Sequence, residues 1–183
     1  MHFGHLMAAQ DAIEQAGLDR LFFVPAARAP LKDGRECASP ADRMAMLHEA
    51  VDGDRRFEIT DIEMSRGGPS YTVETARLLR GRFPDDSLSW VVGADQLSKL
   101  PLWKDISELA GIVEFIVLER PGSPAAPDPV LPGLRLHRCR GHLLEISSTE
   151  IRRRIRLGLS VDFLVPPKTI VYIRDKGLYR AEG

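Results

Sequence analysis

The sequence predicts an α/β protein: a Rossmann-like parallel sheet with helices on both faces. Three observations carry this reading. Apolar residues switch repeatedly between helical spacing and short continuous runs. The runs at 21–24, 88–92 and 112–118 are of the kind buried on both faces of a sheet. Segments with helix signals stand between them, and a strand–helix–strand series closes into a parallel sheet through right-handed crossovers.

In chain order, residues 5–16 carry Leu6, Ala9, Ile13 and Ala16 at helical spacing, and Gly17 is a good stop. The run Leu21-Phe22-Phe23-Val24 is a strand closed by Pro25, followed by a polar loop through Arg28 and Gly34. Ser39-Pro40-Ala41-Asp42 opens a helix with a capping hydroxyl, a first-position proline and an early acid. Met44, Leu47 and Val51 are its expected buried face. Residues 57–59 read as a short strand. The turn Gly67-Gly68-Pro69-Ser70 leads into a helix burying Val73, Ala76, Leu79 and Phe83, which Pro84 ends. Strands are expected at 88–92 and 112–118, a proline-rich surface loop at 120–133, and weaker strands at 134–137 and 143–146. A C-terminal pair of helices, 147–157 and 166–176, finishes the chain.

The 183 residues, 44% hydrophobic and 28% charged, make one domain's worth of globular chain. We expect a single domain over 1–183. Lys and Arg number 25 against 26 acids, so bulk positive charge for nucleic acid is excluded while a local anion site is not. Cys37 and Cys139 lack the spacing of a metal clip, and reduced thiols fit a cytoplasmic location. No apolar run approaches a bilayer-crossing length, so no membrane partner is expected. A homo-oligomer is compatible with the sequence but not readable from it.

In a parallel sheet, ligands gather off the carboxyl ends of the strands. Three candidates for chemistry emerge. His2 and His5, in Met1-His2-Phe3-Gly4-His5-Leu6, precede and open the first helix, whose start suits phosphate. The bland alternative is a terminus with incidental histidines. Next, Ile146-Ser147-Ser148-Thr149-Glu150-Ile151-Arg152 has capping-box spacing at Ser147 and Glu150, with Ile146 and Ile151 as a staple. A well-made helix start explains it; so does a polyphosphate cradle, with Arg152 one turn from the hydroxyls and Arg153, Arg154 and Arg156 as a solvated face. Third, Gly93-Ala94-Asp95 puts an acid at a strand end, where it could hold a ribose hydroxyl or magnesium. Trp103 nearby could stack on a heteroaromatic ring or be an ordinary half-buried indole. The turn before Tyr71 and Thr72 suits a small carboxylate, or is just a cap.

The order of these pieces is more telling than any one of them. His2-Phe3-Gly4-His5 and the Ile146–Arg152 segment resemble the two signatures of the nucleotidylyltransferase superfamily. Between them, Phe23-Val24-Pro25-Ala26, Pro30-Leu31-Lys32, Gly68-Pro69-Ser70-Tyr71-Thr72, Gly93-Ala94-Asp95, Leu100-Pro101-Leu102-Trp103 and Arg120-Pro121-Gly122 resemble one family within it, the bacterial nicotinate-mononucleotide adenylyltransferases. The resemblance covers nearly the whole chain. It implies adenylyl transfer from ATP, with Mg2+, to nicotinate mononucleotide, giving deamido-NAD and pyrophosphate in NAD biosynthesis. It implies a catalytic set of His2, His5 and Arg152. ATP would be bound by Gly4, Lys32, Gly93, Asp95, Ile146, Ser147, Ser148 and Thr149, and the mononucleotide by Tyr71, Thr72, Trp103 and Arg120. No protein residue is singled out as a metal ligand.

The alternatives are another adenylyl- or cytidylyltransferase of the superfamily, such as one acting on phosphopantetheine, or a catalytically impaired nucleotide-binding remnant. The last is motivated by a departure from the pattern. Members of the family carry a buried strand and a Gly-Gly-x-Phe-Asp-Pro loop before the two histidines, whereas this sequence opens at Met1 where that loop would end. The expectation is a misassigned start, a sheet lacking its first central strand, and an open slot beside the strand at 88–92.

Overall fold

The computed structural model describes residues 1–27, 38–119, 122, 127–142 and 144–180. Helix α1 (Phe3–Ala16) ends at Gly17, whose left-handed φ of 63° lets its N–H close back on the carbonyl of Ile13. It starts two residues before the helical spacing does, with His2 as its extended N-cap. Strand β1 (Leu21–Phe23) and helix α2 (Pro40–Val51) follow. The Ser39 hydroxyl accepts from the Asp42 N–H as the sequence predicts. The fully buried residue of α2 is Met46, however; Met44, Leu47 and Val51 are only half-buried, because α2 lies near the edge of the layer and leans on the C-terminal helix.

Strand β2 (Phe57–Ile59), a single-turn helix α3 (Ile62–Arg66) and helix α4 (Thr72–Arg82) come next. Val73, Ala76 and Leu79 are buried as expected, while Phe83 caps the helix and is half-buried. Strand β3 (Ser89–Gly93) runs into a 3-10 helix (Ala94–Leu102) and then helix α5 (Ile106–Ile112), strand β4 (Glu114–Glu119) and strand β5 (Leu136–Arg140). Helices α6 (Ser148–Arg156) and α7 (Pro167–Asp175) are the expected C-terminal pair.

Two strand expectations are corrected. Ile112 ends α5 and the strand starts at Glu114. A seven-residue helix is too short to print a period, and it is held by burial of Ile106, Leu109 and Ala110. Residues 144–146 form no strand: the backbone leaves the sheet at Gly141 to reach α6, and Ile146 packs against the Ile151 cluster instead.

All pairing is parallel, and the sheet lies in two pieces, β1-β2 and β3-β4-β5. Alternation along the strands assigns the faces. Val92, Phe115 and Val117 pack toward α4 and α5, while Val91, Ile116 and Cys139 pack with Ala12 of α1. Helix α1 also gathers Leu21 of β1, so it bridges the two pieces on one face. Between β1 and β3 runs a cleft of about 1950 Å³, lined on one side by residues 21–24 and on the other by residues 89–93. This is the slot anticipated beside β3; no described segment fills it.

Candidate active site

The cleft collects ten of the residues the sequence singles out. His2, Gly4 and His5 line it from the start of α1. Gly93 and Asp95 line it from the end of β3, and Ile146, Ser147, Ser148, Thr149 and Arg152 from the start of α6. Parallel strands put these carboxyl ends on one side, as the sheet type requires.

His2 is buried, 5% exposed, and its ring stacks on that of His5 with centroids 3.7 Å apart. Gly4 makes this possible: a Cβ there would lie 3.1 Å from His2 Nδ1 and 3.7 Å from the Ile146 side chain. Burial, followed by the neighbouring charge of His5, pushes the His2 pKa down to about 3. His2 is therefore neutral near pH 7 and offers a hydrogen bond, not a charge. Its Nδ1 is buried with no hydrogen-bond partner.

At α6 the Ser147 hydroxyl accepts from the Glu150 N–H at 3.1 Å. The Glu150 carboxylate turns to Arg153 rather than back to the cap, so only half of the predicted capping box forms. Arg153 and Arg154 are occupied by Glu150 and the Ser160 carbonyl. Arg152 instead reaches Thr149 Oγ1 at 3.3 Å and keeps a buried Nε without a partner. It lines both the cleft and an adjoining pocket of about 310 Å³.

That smaller pocket exposes a residue the sequence reading missed. Arg43 of α2 holds the loop after β1 through the carbonyls of Ala26 at 2.5 Å and Ala27 at 3.4 Å. Its Nε is likewise buried and unpartnered, and it shares the pocket with His5, Ser148 and Arg152. One arginine on an ordinary helix carries no local signal. Only the folding of α2 against β1 brings it here.

Asp95 opens the 3-10 helix, accepts from Gln96 Nε2 at 2.6 Å, and lies so close over Gly93 that a Cβ there would sit 2.6 Å from its carboxylate. Tyr71, Thr72 and Trp103 do not line the cleft. Tyr71 and Trp103 pack at the margin of the core cluster, the Trp103 ring edge-on to Phe115 at 6.3 Å and the Tyr71 ring under Lys104 Nζ at 4.3 Å. Lys32 and Arg120 fall outside the described residues, as does Cys37. Among the described residues no group of three His, Cys, Asp or Glu side chains could hold a metal ion. No described helix is long and apolar enough to cross a membrane.

A family described as cytidylyltransferase-like matches residues 1–154. A protein of Opitutus terrae named "Probable nicotinate-nucleotide adenylyltransferase" is 59% identical over 180 residues, covering 98% of this chain and 92% of that protein. The chain belongs to the nicotinate-nucleotide adenylyltransferase family. The nicotinate-nucleotide adenylyltransferase of Bacillus subtilis is 36% identical over 185 residues, covering 98% of this chain and 93% of its own. A solved family structure from Plasmodium falciparum, nicotinic acid mononucleotide adenylyltransferase complexed with NaAD, matches with a TM-score of 0.74 at 17% identity. It covers 98% of this chain and 91% of that one, a likeness of fold.

Proposed function

We propose that this chain is a single nucleotidylyltransferase domain that transfers the adenylyl group of ATP to nicotinate mononucleotide. A phosphate oxygen of the mononucleotide attacks the α-phosphorus of ATP, the bond from that phosphorus to the α,β-bridging oxygen breaks, and pyrophosphate leaves with the electron pair. The product is deamido-NAD. The attacking phosphate is already an anion at neutral pH, so no general base is needed. What remains is to hold two anions in line and offset the developing charge.

The observation that carries this reading is the convergence on one cleft of the stacked His2–His5 pair and the hydroxyl-rich start of α6 with Arg152. Neutral His2 would donate a hydrogen bond to a phosphoryl oxygen, with His5 stacked behind it. Ser147, Ser148 and Thr149 would present the α6 start to the ATP phosphates, and Arg152 would take the leaving pyrophosphate, its unpartnered Nε available for a phosphate oxygen. Gly4 and Ile146 keep the two helix starts in register, and Asp95 at the end of β3 would hold a ribose hydroxyl. Arg43 adds a second cation beside Arg152. Magnesium would arrive on the phosphates of ATP as part of the substrate, supplying charge neutralisation there. Tyr71, Thr72 and Trp103 would take the mononucleotide, the indole stacking on its pyridine ring.

The test is pyrophosphate release from ATP and magnesium with nicotinate mononucleotide, nicotinamide mononucleotide or pantetheine phosphate as acceptor, on chain shown to melt cooperatively. Release with the nicotinate acceptor is expected. Release with pantetheine phosphate alone would move the chain elsewhere in the superfamily. ATP binding by a folded chain without release on any acceptor would make it a nucleotide-binding remnant.

A further inference from the structure

Helix α1 does more than present His2 and His5. Two of its side chains one turn apart, Asp11 and Gln15, grip the main chain where it leaves the sheet. Gln15 pairs with Arg140 like a strand residue, its Nε2 donating to the Arg140 carbonyl at 2.7 Å and its Oε1 accepting from the Arg140 N–H at 2.8 Å. Asp11, 3% exposed, takes His142 with both oxygens: Oδ2 accepts from the backbone N–H at 2.9 Å, and Oδ1 lies 2.7 Å from ring Nδ1.

The two grips are not equivalent. Arg140 is already in register with Glu119 of β4, and Gly141 still donates to the Glu119 carbonyl at 2.8 Å. His142 is the first residue beyond that ladder. Only four positions, 143–146, separate it from the Ser147 cap of α6. A buried carboxylate on the helix that carries one half of the site thus sets where the approach to the other half begins. The same helix meets that approach again at its far end, where Gly4 admits Ile146.

We propose that Asp11 is a positioning residue for adenylyl transfer, clamping His142 so that the Ser147–Thr149 hydroxyls stand at a set distance from His2 and His5. The proposal rests on the function given above. Asp11 touches no reacting atom. Its effect is geometric, and a misplacement on the order of 1 Å between two halves of a site can cost about 100-fold in rate.

The test compares Asp11→Ala, Asp11→Asn and Gln15→Ala with the wild-type chain. Alanine is the better helix former at position 11, which favours a folded variant. Asparagine keeps both bonds: its oxygen accepts from the His142 N–H and its amide donates to the Nδ1 of a neutral ring. Two readouts are taken: amide hydrogen exchange over residues 144–149, which needs no activity, and kcat with the KM of each substrate. Asp11→Ala is expected to speed exchange there and lower kcat about 10- to 100-fold, with the KM for nicotinate mononucleotide within about 3-fold. Asp11→Asn should restore kcat to within about 3-fold of wild type. Gln15→Ala, which releases a residue the ladder already holds, should leave kcat unchanged at a comparable loss in Tm. A folded Asp11→Ala with wild-type exchange and kcat overturns the proposal. So does Asp11→Asn as impaired as alanine, or Gln15→Ala matching the Asp11→Ala loss in kcat. If Asp11→Ala does not fold, Asp11→Ser, too short to reach His142, takes its place with the same expectations. A wild-type chain that turns over no nicotinate mononucleotide would sink the function instead, and the exchange comparison would still decide the clamp.

Discussion

The two ends of the proposed reaction are built differently. At the phosphate end, polar atoms are buried and left open: of the four buried side-chain nitrogens without a hydrogen-bond partner among the described residues, His2 Nδ1, Arg43 Nε and Arg152 Nε line the cleft or the pocket beside it, while the fourth, Arg66 Nη1, lies at the other end with the Glu74 carboxylate 3.2 Å away. At the Tyr71–Trp103 end, side chains are engaged with one another. Lys104 bonds Glu74 at 2.7 Å while lying over Tyr71, Arg66 reaches the Pro69 carbonyl at 3.0 Å and lies 3.2 Å from Glu74, and Trp103 rests edge-on against Phe115. Leaving a buried donor unpaired costs about 1–3 kcal/mol. On the proposed function, the open nitrogens of this end are in place for the phosphates before they arrive. The other end gives up existing contacts to bind, so its binding energy is the smaller difference of two sets of contacts.

The comparison predicts where mutation hurts most. Arg152→Ala should lower kcat/KM for ATP about 100- to 1000-fold, the range for removing one donor aimed at developing charge, with little change in Tm. Steady-state pyrophosphate release checks it, and a loss below about 5-fold would mean the open Nε serves something other than phosphate.

Gly4→Ala should come next, at about 10-fold in kcat. The added methyl meets His2 at 3.1 Å, so the stacked ring must move by tenths of an ångström, a displacement the geometry of in-line transfer does not tolerate well. Alanine also favours the helix by up to about 1 kcal/mol, so Tm should hold or rise. Activity falling while stability does not would separate the two roles of this residue; unchanged kcat would show that the ring position is not what matters.

At the packed end, Trp103→Ala should raise the KM for nicotinate mononucleotide only about 3- to 10-fold, the worth of one aromatic stacking contact. The KM for ATP should stay put. An effect as large as that of Arg152→Ala would erase the contrast between the ends.

Much of this was legible because the informative signals are local. The His2–His5 and Ile146–Arg152 segments each sit within seven residues, and each lies at a helix start, though only the second carries capping chemistry that the sequence announces; His2 makes no side-chain cap. Helices α3 and α5 were not legible, since five and seven residues give no period and their stability comes from burial of Glu63, Ile106 and Leu109 in the tertiary structure. Arg43 and the Asp11–His142 clamp were invisible for a related reason. The clamp joins residues 131 positions apart, and neither partner has a neighbour that marks it out. Tyr71, Thr72 and Trp103 were picked out for the mononucleotide, but nothing in their spacing says that Lys104 already lies over the Tyr71 ring or that Trp103 packs edge-on with Phe115.

The smallest effect reports on His2 from the side of stability. Its folded pKa is near 3 against about 6.5 for an ordinary histidine, because burial and then the charge on His5 disfavour the protonated ring. Between those values the unfolded chain binds a proton there that the folded chain does not. Stability is therefore complete above pH 6.5 and is lost as pH falls below it, by at most about 1.4 kcal/mol per unit. The carboxylates held below their usual range by partners, such as Asp54 beside Arg56 and Glu108 beside Arg77, lose their contribution only as pH approaches 4, but the Met1 amine, which burial also pushes down, loses its own across the same range as His2, so between pH 7.5 and 5.5 it is the difference between the wild-type chain and a His2 variant that isolates the imidazole. Denaturant midpoints across that window should fall for the wild-type chain and fall less for His2→Gln, whose side chain does not titrate. Parallel profiles would mean that His2 accepts its proton freely. The phosphate end would then meet its substrate with a charged imidazole rather than a neutral, unpaired donor.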